Sequence, residues 1–174
     1  MRMIKYITPL IILLGCNDKS KNIKTKKDFG SSLEELVLSE GKIGQTYFLK
    51  EPVDKGVLER KITYIGETQS SSAQFKILYS IIYSGLYDDS KRANSSIIFY
   101  SKEGRELGQF FISGVYNSVP TVDGSKLLIR NEVNNCNQIT KINLKDSIPN
   151  EIFIHCKEEN EKMLGDIYSF EKRK

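Results

Sequence analysis

A strict alternation of large side chains between residues 75 and 83 constrains the fold more than any other feature of the sequence. Phe75, Ile77, Tyr79, Ile81 and Tyr83 occupy every second position. Successive side chains of a β-strand point to opposite faces of a sheet, so this period predicts a long strand with five large side chains on one face. The other face alternates polar and apolar residues, and we expect it to be only partly covered.

Similar segments recur along the rest of the chain, each bounded by Gly, Asn, Asp or Pro. They predict further strands over residues 45–49, 57–65, 96–101, 106–113, 119–122, 126–130, 138–144, 151–156 and 165–170. Turn residues around Gly104 and Gly124 indicate two tight hairpins. The series predicts an all-β fold, an antiparallel sandwich or barrel of about 8–10 strands.

One short helix precedes the strands. Ser31 lies three residues before Glu34, and Ser32 three before Glu35, which is the capping-box pattern of a helix start. The apolar residues that follow have helical spacing, and Gly41 is a suitable end. The sequence therefore adds a single N-terminal helix to the β-fold.

Two segments resemble each other, residues 97–111 and 139–154, about 42 residues apart. Each is typical of a strand, a turn with lysine and an acid, and a second strand. The period is near that of a propeller blade. A chain of this length holds too few blades to close a ring, so we interpret the segments as two β-hairpins with common turn residues.

The N-terminus has the pattern of a secretory signal peptide. Arg2 and Lys5 form a positive start, residues 6–14 are apolar, and Gly15 precedes Cys16. The apolar run is too short to span a bilayer, which needs roughly 20 residues.

Leu13, Leu14, Gly15 and Cys16 resemble the lipobox of bacterial lipoproteins. The resemblance covers residues 1–16 and implies that residues 1–15 are removed and that the Cys16 thiol receives lipid such as palmitate. It implies a protein anchored to a membrane of the bacterial envelope. Asn17 after the cysteine favours the outer membrane, by the rule that holds in enteric bacteria. An ordinary cleaved signal with a chance cysteine is the alternative.

The domain organisation follows from this signal. Residues 16–28 are predicted to be a lipidated tether, lysine-rich and flexible, and residues 29–174 a single β-rich domain. The formal charge of +4 falls to +2 without residues 1–15, and from Asp28 onward 19 basic residues face 21 acidic ones. Nucleic-acid binding needs a basic patch on the folded part, so we exclude it. The basic tether is suited to anionic headgroups.

Cys136 and Cys156 remain if Cys16 carries lipid. In an oxidising compartment they are expected to form a disulfide, worth about 3 kcal/mol for a loop of this length. Two unpaired thiols are the alternative. A metal site is disfavoured because His155, the single histidine, would point away from Cys156 across the strand.

No catalytic motif is present. The sequence lacks Gly-x-Ser-x-Gly, His-Glu-x-x-His, Gly-x-Gly-x-x-Gly and a Walker loop, and one histidine offers little as a general base. We predict no catalytic residue, metal or cofactor. Acids on loops, first among them Asp88, Asp89, Asp123 and Glu132, are the material for a hydrolase if there is one.

The best candidate for binding is the predicted loop over residues 85–94, which is long for a hairpin connection. It mixes an aromatic residue with charges of both signs, a composition that suits a protein interface. The candidate binding residues are Tyr87, Asp88, Asp89, Lys91, Arg92 and Tyr116.

The sequence thus favours a membrane-anchored lipoprotein with a small non-enzymatic β-domain. Its partner would be a protein or another envelope component, as for an inhibitor, an immunity protein or an accessory protein. One alternative is an envelope hydrolase that uses loop carboxylates. Another is an accessory subunit of an outer-membrane complex, which would show a large exposed apolar patch.

Overall fold

A computed structural model of the chain describes residues 20–22, 33–53, 56–69, 73–87, 90–113, 118–132, 136–157 and 163–173. These residues form one helix, α1 (Leu33–Glu40), and eleven strands. The strands are β1 (Ser20–Asn22), β2 (Thr46–Val53), β3 (Gly56–Glu67), β4 (Phe75–Gly85), β5 (Arg92–Ser101), β6 (Glu106–Ser113), β7 (Thr121–Asp123), β8 (Lys126–Asn131), β9 (Gln138–Asn143), β10 (Glu151–Lys157) and β11 (Met163–Lys172).

The strands form two sheets that pack face to face. The large sheet has eight strands in the order β1-β2-β3-β4-β5-β6-β11-β10, and the small sheet has three in the order β7-β8-β9. Every pairing is antiparallel except that of β1 with β2, which is parallel. The predicted all-β fold with one short helix is confirmed, and of the two architectures it is the sandwich.

The main core lies between the two sheets. The alternating side chains of β4, from Phe75 to Tyr83, all face it, with Ile77 and Tyr79 completely or almost completely buried. The ring of Phe99 lies at its centre, edge-on to those of Phe75, Phe110 and Phe170, with centroids 5.8 to 6.4 Å apart. Such edge-to-face contacts add to the free energy of apolar burial.

Helix α1 covers part of the outer face of the large sheet. Val37 packs there with Tyr47, Leu78 and other residues of β2 to β5. Two polar contacts tie the helix down: the Tyr47 hydroxyl donates to Glu40 at 2.7 Å, and Arg60 pairs with Glu34 at the same distance. Burial, helped by the Glu40 carboxylate, raises the pKa of Tyr47 to about 12.

The end of α1 was predicted correctly. Gly41 follows the last helical residue with a φ of 58°, and its N–H donates to the Val37 carbonyl oxygen at 3.1 Å. A left-handed residue after a helix favours glycine, so the helix ends there for a local reason.

Two features differ from the expectations. The strand β1 lies inside the segment predicted to be a flexible tether. The interpretation of residues 139–154 as a hairpin was wrong, because β9 belongs to the small sheet and β10 to the large one. Ile142 of β9 and Ile152 and Ile154 of β10 face the same core, so they are buried without pairing one strand to the other.

A disulfide joins the two sheets. Cys136, just before β9, is bonded to Cys156 of β10, with the Cα atoms 5.4 Å apart. Next to it, the Thr140 hydroxyl on β9 lies 3.2 Å from Nδ1 of His155 on β10. The predicted pairing of these cysteines is confirmed, and His155 is half-buried, as expected for a strand residue on the face opposite the core.

Neighbouring phenylalanines on β6 test which face is the core. Phe110 is fully buried and Phe111 is 44 % exposed on the opposite face. Phe110→Ala should lower the free energy of unfolding by about 3–5 kcal/mol, because it removes a buried ring and leaves a cavity. Phe111→Ala should cost less than about 1 kcal/mol. Urea unfolding of both variants measures the difference, and equal losses would mean that the strand faces are wrongly assigned.

The disulfide also makes a measurable prediction. The double variant Cys136→Ser, Cys156→Ser should unfold with a free energy about 3 kcal/mol lower, since the unfolded chain is no longer constrained. The single variants should lose about as much as the double one, because either change breaks the same bond. Alkylation of either cysteine in the native, unreduced protein would contradict the pairing.

Candidate functional site

The loop between β4 and β5 contains most of the candidate binding residues, and it is shorter than predicted. β4 continues to Gly85 and β5 begins at Arg92, so only residues 86–91 connect them. The strands extend further because residues 92–95 pair with residues 81–84 in register. The prediction of a loop from residue 85 to residue 94 was therefore wrong at both ends, because Gly85 is the last residue of β4 and Arg92 is the first residue of β5.

The connection presents two large side chains to solvent. Leu86 is 62 % exposed and Tyr87 is 70 % exposed. The Tyr87 N–H donates to Oγ of Ser90 at 3.1 Å, and the Ser90 hydroxyl and N–H both donate to the Tyr87 carbonyl oxygen. We call Leu86, Tyr87 and Ser90 the hairpin tip. Its exposed side chains stand on a backbone turn that is closed by hydrogen bonds.

Two glycines hold the base of this turn against the neighbouring β2–β3 hairpin. A Cβ atom on Gly85 would lie 2.9 Å from the Cα atom of Lys91. Gly56, with a φ of 124°, approaches so closely that a Cβ atom would overlap the Gly85 carbonyl oxygen. Only glycine permits this approach. The hairpin tip therefore has a fixed position relative to β2 and β3.

Beside the tip, one carboxylate binds two ammonium groups. Oε1 of Glu59 on β3 lies 2.8 Å from Nζ of Lys91 and 3.0 Å from Nζ of Lys50 on β2. Hydrogen bonds from Lys91 and then from Lys50 hold the pKa of the Glu59 carboxyl below its usual value. The side chains of Glu59 and Lys91 are each 15 % exposed, so this pair is better shielded from water than an ordinary surface ion pair.

A third lysine lies against aromatic rings. Nζ of Lys61 is 5.1 Å from the ring centroid of Tyr83 and 5.9 Å from that of Phe48. A cation at this distance from a ring face is attracted by the negative potential of the ring. Lys61 is thereby held over the two rings with its charge close to the surface.

These six residues share one face of the large sheet, and we call them the lysine–aromatic surface: Phe48, Lys50, Glu59, Lys61, Tyr83 and Lys91. The register shows this directly, because residues 50, 59 and 83 are cross-strand partners, as are residues 48, 61 and 81. It is the face that carries the main core, at the end of the strands near the hairpin tip. Three lysines and one glutamate give the surface two surplus positive charges.

The structure locates three of the six candidate binding residues. Tyr87 is at the hairpin tip, Lys91 is bound to Glu59 on the lysine–aromatic surface, and Arg92 is exposed. Arg92 pairs with Ser84, so it belongs to the opposite face of the sheet and is not brought together with Lys91. Asp88, Asp89 and Tyr116 lie outside the described residues.

The sequence reasoning missed Leu86 at the tip and the residues of β2 and β3 that form the lysine–aromatic surface. One signal for the latter is present in the sequence. Phe48 and Lys50 alternate on one strand, Glu59 and Lys61 alternate on the next, and the turn between the strands sets their register. Pairing the two alternations would have brought these residues together before the structure was known.

Of the acids considered for a hydrolase, the structure describes Asp123 and Glu132, and these two do not form a catalytic pair. Asp123 ends β7 opposite Lys126, the first residue of β8, whereas Glu132 follows Asn131, the last residue of β8. At about 3.4 Å per residue the two carboxylates are separated by the length of β8, roughly 20 Å. Paired glycosidase carboxylates lie within about 10 Å. Among the described residues, no group of three or more His, Cys, Asp or Glu side chains could hold a metal ion.

Comparison of the chain with protein-family models, with curated proteins and with solved structures found no match in any of the three. In the part of the chain that the structure describes, no helix is long and apolar enough to cross a membrane. The proposals that follow rest on the sequence signal and on the geometry given above.

The Glu59 contacts predict a pH-dependent contribution to stability. The folded pKa of this carboxyl is lowered, so its contribution is fully present above the unfolded pKa of about 4.3 and is lost as the pH falls through the folded value. Glu59→Gln should lower the free energy of unfolding at pH 7 by about 1 kcal/mol. The difference from wild type should disappear in acid. Glu151→Gln, on an exposed position of β10, is the control, and a difference for Glu59→Gln that persists unchanged into acid would contradict the ion pairs.

Proposed function

We propose that this protein is a membrane-anchored lipoprotein of the bacterial envelope whose β-domain binds a protein partner through the hairpin tip and the adjoining lysine–aromatic surface. The observation that carries the binding proposal is the exposure of Leu86 and Tyr87 on a turn closed by hydrogen bonds. An inhibitor, an immunity protein and an accessory protein would all use such a surface.

The hairpin tip has the properties of an interface anchor. Tyrosine is enriched among the residues that dominate binding energy, and an apolar neighbour adds area that water leaves on association. The hydrogen bonds between Tyr87 and Ser90 and the close approach of Gly56 to Gly85 hold Leu86 and Tyr87 in place before a partner binds, which lowers the conformational entropy lost on association. A small tip can therefore contribute substantially to affinity.

The lysine–aromatic surface supplies the polar part of the interface. Its lysines are held by Glu59 and by the rings of Phe48 and Tyr83, so their positions are set before binding. Two surplus positive charges beside an apolar tip favour a partner with carboxylates around an apolar pocket. Such complementarity acts mainly on the association rate and on the choice of partner.

The anchor is proposed from the sequence alone. Leu13, Leu14, Gly15 and Cys16 support cleavage before the cysteine and lipidation of its thiol. One acyl chain holds a protein to a bilayer only marginally, whereas two or more give stable attachment. The proposal therefore requires a multiply acylated Cys16.

A second surface favours a different candidate, an accessory subunit of an envelope complex. Phe153 and Ile167 are cross-strand partners on the outer face of β10 and β11, and Phe111 lies on the same face of β6. All three are exposed, Ile167 to 67 %. An apolar patch on the outer face of a sheet is a common protein-interaction surface.

Photo-crosslinking in intact cells distinguishes the two surfaces. We expect p-benzoylphenylalanine at position 87 to give a discrete covalent adduct with one envelope protein, and the same group at Lys145, an exposed position in the bend after β9, to give none. Adducts from position 167 with none from position 87 would favour the accessory-subunit candidate over the hairpin tip.

Substitutions measure how much the tip contributes. Leu86→Ser and Tyr87→Ser should each weaken binding to the crosslinked partner by about tenfold or more, because each removes an exposed apolar group from the interface centre. Ile167→Ser is the matched control and should bind as wild type. Since all three side chains are exposed, unfolding curves should coincide, and unchanged binding by both tip variants would contradict the proposal.

The anchor has its own test. Labelled palmitate should enter the wild-type protein and be absent from Cys16→Ser. Incorporation into Cys16→Ser, or none into wild type, would contradict the lipidation site independently of any result at the hairpin tip.

A further inference from the structure

We propose that the domain stands on the bilayer in a defined orientation, with the turn at residues 41–45 toward the lipid and the hairpin tip directed away from it. This inference rests on the lipid anchor of the proposed function. It identifies a second interaction surface, whose partner is the surface of the membrane itself.

The pairing of β1 with β2 limits how far the domain can move from its anchor. Ser20, Lys21 and Asn22 pair with residues 46, 47 and 48 of β2. Cys16 precedes Ser20 by four residues, which span at most about 14 Å when fully extended. The chain between lipid and sheet is thus a short strap, although the sequence alone predicts a longer flexible tether.

The parallel direction of β1 decides which end of the sheet lies near the anchor. Because β1 runs in the same direction as β2, the chain arrives at the Thr46 end of that strand. The turn at residues 41–45 precedes Thr46 directly. The opposite end of the neighbouring strands carries the hairpin tip.

The register gives the distances along the strands. Thr46 is the cross-strand partner of Thr63, and Thr63 is the partner of Tyr79, so the three residues lie at the same level of the sheet. From Tyr79 to Gly85, the residue before the hairpin tip, β4 extends by about 20 Å. This exceeds the reach of the strap, so an acylated Cys16 does not extend to the level of the tip. In the other direction, from Tyr79 to Phe75, β4 extends by about 13 Å, which lies within that reach.

The end nearest the anchor has side chains suited to a headgroup layer. Ile43 is 73 % exposed, more than any other large apolar side chain among the described residues. It is fixed in its turn by Gly44, whose N–H donates to the Tyr64 carbonyl oxygen at 2.8 Å. Lys42 is exposed beside it and pairs with Glu40 at 3.4 Å, and Lys102 and Arg105 are exposed on the β5–β6 turn beyond Phe75, with Glu103 on the same turn. An exposed apolar side chain with lysine and arginine side chains on neighbouring turns is suited to the headgroup layer of a bilayer.

The orientation has a consequence for binding. The hairpin tip is held away from the bilayer while the strap keeps the whole domain close to it. A partner is therefore met at a fixed height above the membrane.

Single tryptophans test the orientation directly, because the chain contains none. The mature, lipidated forms of Ile43→Trp and Tyr87→Trp are each reconstituted into phosphatidylcholine–phosphatidylglycerol vesicles with and without brominated acyl chains. We expect loss of fluorescence from Ile43→Trp in brominated vesicles and no loss from Tyr87→Trp. Ile167→Trp, exposed on the sheet face, is the control and should also keep its fluorescence.

Equal quenching of the tryptophans introduced at positions 43 and 87, or quenching at position 87 alone, would overturn the orientation. So would unquenched fluorescence at position 43 in protein that carries palmitate, and in that case the lipid anchor would stand. Absence of palmitate from wild type would overturn the anchor and the orientation together.

Lengthening the strap between Cys16 and β1 gives a second test of the orientation. Insertion of ten Gly and Ser residues between Asn17 and Asp18 should abolish the quenching of Ile43→Trp while palmitate incorporation stays at the wild-type level. Quenching that survives the insertion would show that the short strap does not set the orientation.

Discussion

The packing of aromatic rings between two sheets is the interaction on which the rest of this structure depends. Phe99 contacts the rings of Phe75, Phe110 and Phe170, and together the four rings come from four different strands of the large sheet. Their burial fixes which face of each strand is inward, and a slip by one residue would turn every one of these side chains to the other face. The positions of Lys50, Lys61 and Glu59 on β2 and β3 follow from the same register. The lysine–aromatic surface therefore continues the same face of the large sheet that carries the main core.

The large sheet has two faces with different cover. The small sheet and the disulfide between Cys136 and Cys156 cover the inner face except at the strand ends beside the hairpin tip, and helix α1 covers only part of the outer face. What is left open defines the candidate surfaces: the strand ends beside the hairpin tip, the apolar patch at Phe153 and Ile167, and the turn at Ile43. Each faces a different direction. If Cys16 is lipidated as we propose, the short strap at the Ile43 end orients these surfaces relative to a membrane.

Local periodicity was enough to predict most of the fold. The stripe from Phe75 to Tyr83, the hairpins at Gly104 and Gly124 and the helix ending before Gly41 all depend on neighbours in the sequence, and all are present. Features that depend on distant partners were missed or wrong. Polar residues 20–22 form a strand only because β2 has an open edge with which they can pair. β9 and β10 join different sheets, and each buries its core-facing side chains between those sheets. Of the candidate site, Tyr87 and Lys91 were predicted, but the partners of Lys91 required the register of three strands.

If the hairpin tip binds a partner as we propose, it is covered in the cell. Hydroxyl-radical footprinting of the protein, once purified and once in intact envelopes, compares all exposed surfaces in one measurement. We expect Leu86 and Tyr87 to be oxidised in the purified protein and protected in envelopes, and Phe153 and Ile167 to be oxidised equally in both. Protection of Phe153 and Ile167 with unchanged oxidation of Leu86 and Tyr87 would contradict it.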